Sequence, residues 1–545
     1  MNPMSRQLKF SLLFLLCLYG VYAALMVWDS SFVIAGKRWF CLLDDPMISM
    51  RYARNLASGL GLVWNAGERV EGITNPGWTA IMALVHLVES DRSRTSLYIQ
   101  VLALLCNVVT ISIVFAVAWK ISGGKILSTV VASFLVAFYY PVNYWSLLGM
   151  ETSLLTAMVT GAVAIGIRCL EREQFPWSVY LLLGAATIVR IDVAVPLVIV
   201  SGYLMWRQSP NLRWRHLACL AATLLVFVGG QTLARLIYYG YPFPNTYYLK
   251  MTGFPIVYRM VRGALVTVES LACIYWPVAA VTAAGFVFLI IKHRGLPRRL
   301  SAPAIPNARN YFLPAMLVVG QVAYSIYVGG DAWEYGIYCN RFLIIVFPMM
   351  ALLWAAGLNC WIGAVTEKLK GLKQLAVVAT LTVCSVLSVN WRSCHPVLRN
   401  QIYLMDTSPE DQVNNQNAAT FSVLLSVIPS TAKVSSDWAG SMFYFLDRYA
   451  VDPLGKCDVF IAHQEVARSH WITPRWENAF YPGHMKWDME YTLKKYHPDY
   501  MIFGFAPLLV HSRKIIEQNY ESFRVPGIST LIWIRKDLPP DLLSR

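Results

Sequence analysis

The chain predicts a mainly α-helical, polytopic membrane protein with a soluble α/β domain at its C-terminal end, and three observations carry that expectation. Of its 545 residues, 57% are hydrophobic and only 14% charged, against about 25% charged in a soluble domain. The apolar residues gather in runs that approach the roughly 20 residues a helix needs to cross a bilayer. After Trp391 no such run recurs, and short alternating segments take over. A net charge of +15 raises nucleic acid as a partner. The basic residues, however, sit in short clusters between apolar runs, which is the positive-inside pattern and calls for no nucleic acid. The 11 cysteines are scattered, without a CxxC pair or zinc spacing.

Taken in order, Phe10–Val27 follows Arg6 and Lys9 and reads as an uncleaved first span, so the loop over residues 30–96 lies outside. Trp78–Val88 is too short to cross and reads as an interfacial helix of that loop. Leu97–Trp119, Ile126–Pro141 and Ser153–Ile167 are spans, with Asn143–Thr152 an outer loop between the last two. Trp177–Val189 and Val193–Trp206 form a hairpin with Arg190 and Asp192 at its outer tip, where a structural ion pair is the favoured reading. Leu217–Tyr238, Leu271–Ile291, Tyr311–Val328, Phe342–Leu358 and Leu375–Val389 complete about eleven spans, which puts every basic cluster inside. Residues 1–390 are then the transmembrane domain and 391–545 an outer α/β domain. That domain has an amphipathic helix over Pro409–Val427. Its strands fall over Lys433–Ser436, Tyr449–Asp452, Val459–Ala462, Tyr500–Phe503, Ser522–Val525 and Thr530–Ile534. It has no GxGxxG, P-loop or GxSxG elbow.

The stretch Cys41–Trp78 is the most polar and turn-rich part of the first half of the transmembrane region. Asp45 suits an N-cap, Pro46 the first helical position and Gly59 the C-terminal cap. Ile48, Tyr52, Ala53 and Leu56 share one face of the helix between them, and Arg51, Arg54, Asn55 and Ser58 the other. Such a helix fits the membrane interface, with two carboxylates at its positive end and guanidinium groups along its polar side. That suits a phosphorylated, lipid-borne substrate. An ordinary loop helix capped by its aspartates fits the same residues equally well.

The runs Asp44-Asp45-Pro46-Met47-Ile48-Ser49, Arg51-Tyr52-Ala53-Arg54-Asn55-Leu56, Gly61-Leu62-Val63-Trp64-Asn65, Gly67-Glu68-Arg69-Val70-Glu71-Gly72 and Thr74-Asn75-Pro76 resemble the first outer loop of the GT-C glycosyltransferases. The nearest likeness is to the lipid-linked arabinofuranosyltransferases of the mycobacterial cell-wall type and their bacterial relatives. Asp437-Trp438-Ala439-Gly440, Asp452-Pro453-Leu454-Gly455, Asp458 and the Pro482-Gly483-His484 turn resemble motifs of the same family's outer domains. The resemblance implies a GT-C enzyme in the bacterial cytoplasmic (inner) membrane, with its site on the extracytoplasmic side. It would move a sugar, arabinofuranose first among the choices, from a polyprenyl-phosphate donor to a cell-envelope glycan, lipid or protein, with inversion. Mannosyl or aminoarabinosyl transfer in the same architecture is one alternative. A transporter of lipid-linked sugars is another, although the matched half-repeats a transporter should show are absent from the sequence.

Such a transfer needs a carboxylate to take the acceptor's proton, cations on the leaving phosphate and a groove open to membrane lipid. The resemblance makes Asp44 the base, with Asp45 in reserve as base, metal or acceptor ligand, or as a plain N-cap. Glu151, in Gly149-Met150-Glu151-Thr152, is the third acid, or else a helix N-terminal acid. Arg341, Lys250, Arg51 and Arg54 are the candidate phosphate cations, and Tyr52, Asn75, Tyr248 and Asp331 the substrate-side residues. Arg259 and Arg262 read as anchors to lipid headgroups, and His86 as a packed residue. No cofactor is certain, and a divalent cation stays open. Cys394 and Cys457 are available to pair. The outer domain is expected to place the acceptor, with donor binding left to the transmembrane part.

Overall fold

The computed structural model describes residues 6–34, 36–272, 280, 283, 311–332, 340–369, 371–390, 429–470, 480–524 and 531–538. The first helix, α1 (Arg6–Asp29), is followed by a short antiparallel hairpin of β1 (Phe32–Ile34) and β2 (Lys37–Trp39). Then come α2 (Asp44–Ala57), α3 (Pro76–Val88), α4 (Thr95–Ile121), α5 (Ile126–Phe138), α6 (Tyr140–Leu147) and α7 (Thr152–Glu171). The hairpin of α8 (Trp177–Val189) and α9 (Ala194–Arg207) follows, then α10 (Arg213–Thr223), which runs through a π-helical stretch into α11 (Gly230–Tyr239). Two shorter helices, α12 (Asn245–Met251) and α13 (Ile256–Ser270), lead to helices Phe312–Val328, Arg341–Ile344, Phe347–Lys368 and Leu372–Asn390.

Among the described residues five helices are long and apolar enough to cross a membrane, or six if the bent α5–α6 pair is one span. This is a membrane protein. A helix stands at every expected span except Leu271–Ile291, most of which lies outside the described residues, as do Pro409–Val427 and Cys394. The expected loop over Asn143–Thr152 is shorter than the sequence suggests. Pro141 starts a new helix, α6, at 47° to α5, because proline favours a first helical turn and cannot continue the turn before it. The backbone groups freed at that break are taken by two side chains. Asn143 Nδ2 donates to the Ala137 carbonyl at 2.9 Å and the Tyr139 carbonyl at 3.1 Å. Asn390 accepts from the Tyr140 N–H at 2.9 Å and donates to the Phe138 carbonyl at 2.9 Å, as a low-dielectric interior requires.

The C-terminal domain is a five-stranded sheet in the order β4-β3-β5-β7-β6, formed by β3 (Lys433–Ser436), β4 (Tyr449–Val451), β5 (Tyr500–Ile502), β6 (Tyr520–Arg524) and β7 (Leu531–Arg535). β3 pairs in parallel with β4 and β5, and β7 runs antiparallel to β5 and β6. The expected strand at Val459–Ala462 is instead a helix, Val459–His463. Asp458 caps it, accepting from the Ile461 N–H at 2.9 Å, and that local bond outweighs the strand preference of the apolar residues.

The sheet domain docks on α2. Ile48 and Tyr52 share a buried cluster with Trp64, Val434, Phe443 and Ile502, while Met47, Met50 and Ala53 belong to the transmembrane core. Helix α2 is therefore buried on two sides by protein, and the face expected to rest on lipid is covered by the sheet domain.

Candidate active site

The first turn of α2 meets the C-terminal domain beside a cavity of about 420 Å³. Helix α2 begins two residues earlier than the capping pattern predicts: Leu43 is its N-cap, with no side-chain cap. Asp44 and Asp45 both lie in the first turn, where the helix dipole favours negative charge. Consecutive residues point about 100° apart, so the two carboxylates diverge.

Asp44 faces the C-terminal domain. Its Oδ1 accepts from the backbone N–H of Gly440 at 3.1 Å and of Ser441 at 2.9 Å. Only glycine fits at 440, since a Cβ there would lie 1.9 Å from the Asp44 carbonyl oxygen. Asp437, at the head of that motif, accepts from the backbone N–H groups of Gly504 and Phe505 and so fixes the turn. Burial pushes Asp437 up to about 6. Asp44 Oδ2 makes no hydrogen bond among the described residues and stands 4.0 Å from Lys456 Nζ. Burial raises the Asp44 carboxyl above the usual carboxylate range, against the pull of Lys456 and the two N–H donors.

Asp45 faces the cavity. Its Oδ2 pairs with Arg341 Nη1 at 2.8 Å and its Oδ1 with Lys456 Nζ at 3.3 Å. Burial opposes its charge, but Lys456, Arg341 and Lys250 together hold it well below the usual range. It is not the N-cap of α2. Arg341 is also held by Asp331, whose Oδ2 lies 3.1 Å from Nε and accepts from the Arg341 backbone N–H. Arg262, fully buried, donates to the carbonyls of Gly329 and Asp331, and Arg259 to those of Tyr327 and Met251. These arginines brace the Asp331 segment and are not lipid anchors. Lys250 lines the same cavity, and its ammonium has no hydrogen-bond or ion-pair partner among the described residues. Burial and the neighbouring Arg341 lower it to about 8. The Pro482–His484 turn packs on its stem, since a Cβ at Gly483 would lie 3.0 Å from Lys250 Cε. Burial pushes His484 down to about 3, so the imidazole adds no charge at neutral pH.

Across the cavity Glu151, 1% exposed, accepts from Arg190 Nη1 at 2.9 Å and from Asn75 Nδ2 at 2.8 Å. Arg190 also pairs with Asp192 at 2.8 Å, so the expected ion pair exists with Glu151 as a third member. Asn75 in turn accepts from Ser49 on α2 at 2.8 Å. Ile48, Ile73, Val195, Phe243, Tyr247 and Val328 supply apolar walls.

The structure thus brings Asp45, Asn75, Glu151, Lys250, Asp331 and Arg341 to one cavity, with Asp44 at its edge. It does not bring the other four candidates there. Arg51, 4% exposed, donates to the carbonyls of Trp64, Phe443 and Arg448 and to Asn65 Oδ1. Arg54 pairs with Asp447 at 2.7 Å. Both bind the C-terminal domain to α2, and neither lines the cavity. Tyr52 is fully buried and bonds Val70 and Gly72 through its hydroxyl. Tyr248 stacks on His463 at 4.1 Å, and Tyr247 faces the cavity instead. His86 is packed, bonding Met82 and Tyr444. Lys456 went unnoticed in the sequence because only cations near the spans were considered there. Its place directly after Asp452-Pro453-Leu454-Gly455 was the available signal. Among the described residues no three His, Cys, Asp or Glu side chains converge as metal ligands. Both oxygens of Asp45 face cations, so this donor set does not suit a divalent ion.

No family model matches the chain. Among curated proteins it is similar to the terminal β-(1→2)-arabinofuranosyltransferase of Corynebacterium glutamicum, 45% identical over 56 residues, a match covering 10% of this chain and 8% of that protein. The chain thus spans less than a tenth of the length of the curated relative it matches. Solved structures match along nearly the whole chain. ArnT from Cupriavidus metallidurans bound to undecaprenyl phosphate superposes with a TM-score of 0.53 at 11% identity, covering 96% of this chain and 97% of that one. The oligosaccharyltransferase AglB from Archaeoglobus fulgidus, in complex with an inhibitory peptide and a dolichol-phosphate, gives 0.52 at 11%, covering 98% and 76%. The fold is therefore the GT-C fold.

Proposed function

We propose that this GT-C chain is an inverting glycosyltransferase that moves a sugar from a polyprenyl-phosphate donor to a cell-envelope glycan, lipid or protein at the extracytoplasmic face of a bacterial cytoplasmic membrane. One observation carries this reading. Lys250, a cation with no hydrogen-bond or ion-pair partner among the described residues, shares an apolar-walled cavity with Arg341 and stands next to the carboxylate turn of α2. A ligand with an anionic head and a hydrocarbon tail matches that combination.

In the reaction the acceptor hydroxyl attacks the anomeric carbon from the side opposite the phosphate. The bond from carbon to phosphate oxygen breaks, and the phosphate leaves unprotonated, stabilised by Lys250 and Arg341. The hydroxyl proton passes to Asp44 Oδ2. Asp44 suits that role better than Asp45, because a base works best with a pKa near the working pH, and Asp45 is held strongly acidic by its cations. The solved likenesses bind undecaprenyl phosphate and a dolichol-phosphate, both polyprenyl phosphates, which supports the donor class. The arabinofuranosyltransferase match supports arabinofuranose as the sugar.

The test is purified full-length protein incubated with synthetic short-chain polyprenyl-phosphate arabinofuranose, mannose and aminoarabinose in turn, with envelope acceptors, and mass analysis of the products. Transfer of arabinofuranose supports the reading. Transfer of another sugar alone replaces the sugar and keeps the reaction. Movement of intact donor across vesicle bilayers without transfer replaces the enzyme by a transporter.

A further inference from the structure

Among the described residues Lys456 is the one cation of the cavity wall that comes from the C-terminal domain, and its surroundings are unusual for a structural lysine. It is 7% exposed, and an ammonium removed from water normally satisfies its three N–H donors. Among the described residues its only hydrogen bond is a long one, 3.3 Å to Asp45 Oδ1, with Asp44 Oδ2 at 4.0 Å.

The backbone around it, in contrast, is tightly fixed. Asp452 accepts from the N–H groups of Leu454 at 3.0 Å and Cys457 at 2.7 Å. Asn245, at the start of α12, donates through Nδ2 to the carbonyls of Gly455, Lys456 and Asp458 at 2.9–3.1 Å. A Cβ at Gly455 would lie 2.6 Å from Ile461, and φ there is +78°, so only glycine fits. A rigid loop thus delivers a lysine with spare donors to the cavity that already holds Lys250 and Arg341. In that corner Lys250, Arg341 and Lys456 stand beside Asp45 and Asp331, with Asp44 at the edge, three cations to three carboxylates, so a phosphate is held there by drawing a cation away from its carboxylate.

We propose that Lys456 is a third phosphate-binding cation, and that it leaves Asp45 for the donor phosphate when the donor binds, so that the C-terminal domain completes the donor site. This rests on the polyprenyl-phosphate reading above, and it departs from a division in which the sheet domain serves only the acceptor. Asp45 then has a defined role as the counter-ion that keeps three cations together until the phosphate replaces it.

The experiment measures binding of farnesyl phosphate to full-length protein by calorimetry, in the wild type, Lys456→Gln, Lys456→Arg, Asp45→Asn and the double variant Asp45→Asn/Lys456→Gln, with thermal melting as the folding control. The double variant keeps the net charge and replaces the pair with neutral groups, so it supplies a folded protein for the comparison should Lys456→Gln alone fail to melt as a folded one. A direct phosphate contact predicts about tenfold weaker binding in Lys456→Gln, retention in Lys456→Arg, tighter binding in Asp45→Asn and a double variant that binds more weakly than Asp45→Asn. Equal affinity in the double variant and Asp45→Asn overturns the proposal, because Lys456 then only neutralises Asp45. Unchanged affinity in a folded Lys456→Gln overturns it as well. A wild-type protein that does not bind farnesyl phosphate overturns the donor reading itself, and this proposal with it.

Discussion

Two ends of the same helix carry buried cations at close quarters, and they treat them differently. Toward the C-terminal end of α2, Arg51 commits its donors to three backbone carbonyls and one amide oxygen, and Arg54 is tied to the Tyr444 carbonyl at 2.8 Å as well as to Asp447. Toward the N-terminal end, Arg341 and Lys456 face carboxylates that an incoming anion can replace, and among the described residues Lys250 faces none within bonding distance. A guanidinium fixed on carbonyls is part of the scaffold, since no ligand can displace the backbone. A cation balanced by a movable carboxylate, or by nothing, remains available to bind. Residue type alone does not separate the two. The identity of the acceptor group does.

That comparison can be broken most severely at Asp44. Asp44→Asn is expected to lose roughly 10²–10⁴-fold in kcat with donor affinity little changed, measured as turnover and donor binding on purified protein. Near-normal turnover in Asp44→Asn beside a dead Asp45→Asn would shift the base by one residue. Next in size, Arg51→Met strands carbonyls of Trp64, Phe443 and Arg448 in a buried seam. It should cost on the order of 3 kcal/mol of stability in denaturant melts while the folded fraction binds donor normally. A specific loss of donor affinity without destabilisation would return Arg51 to the phosphate site.

A smaller effect is expected at Lys250, where Lys250→Gln should weaken donor binding by about tenfold. Its pH dependence has a definite sign. The amine is charged below its pKa of about 8, so donor binding should be full near pH 6.5 and fall as pH rises through 8. Asp45 is held well below the usual carboxylate range and Arg341 and Lys456 above their ordinary values, so these three keep their charge over that range, and a phosphodiester donor does not titrate there. Lys250→Arg should remove the dependence, and a slope that survives in that variant would assign it to another group. The smallest change is expected at Arg54→Ala, because Asp447 is half exposed and the pair is screened by water. A loss of under about 1 kcal/mol in melts fits a surface pair, and a larger one would make that seam more than a tether.

The apolar runs, the extent of α2 and α3 and most of the sheet strands were legible in the sequence. Each depends on neighbours within a few residues: hydrophobic length, helical periodicity, proline at a first turn, Gly59 just past the end of α2. The errors lie where two segments far apart decide the outcome. Arg51 and Tyr52 fall on the two faces of α2 that periodicity assigned to them, yet both faces are covered, because the C-terminal domain returns to the helix after nearly four hundred residues. Tyr248 was chosen over Tyr247 within an aromatic loop, where composition cannot tell which ring turns inward.

By itself the sequence determined that the chain is a membrane protein with a sheet domain after the last span, and that the acidic turn at Asp44 and Asp45, with Lys250, Asp331 and Arg341, is the place to look. The tertiary structure decided which carboxylate faces the cavity, which cations line it and that Lys456 stands among them. The physical reason is that charge type is written into a residue, whereas its availability depends on what neutralises it. For Lys456 that partner lies 411 residues away in the chain, a separation at which no local pattern carries information.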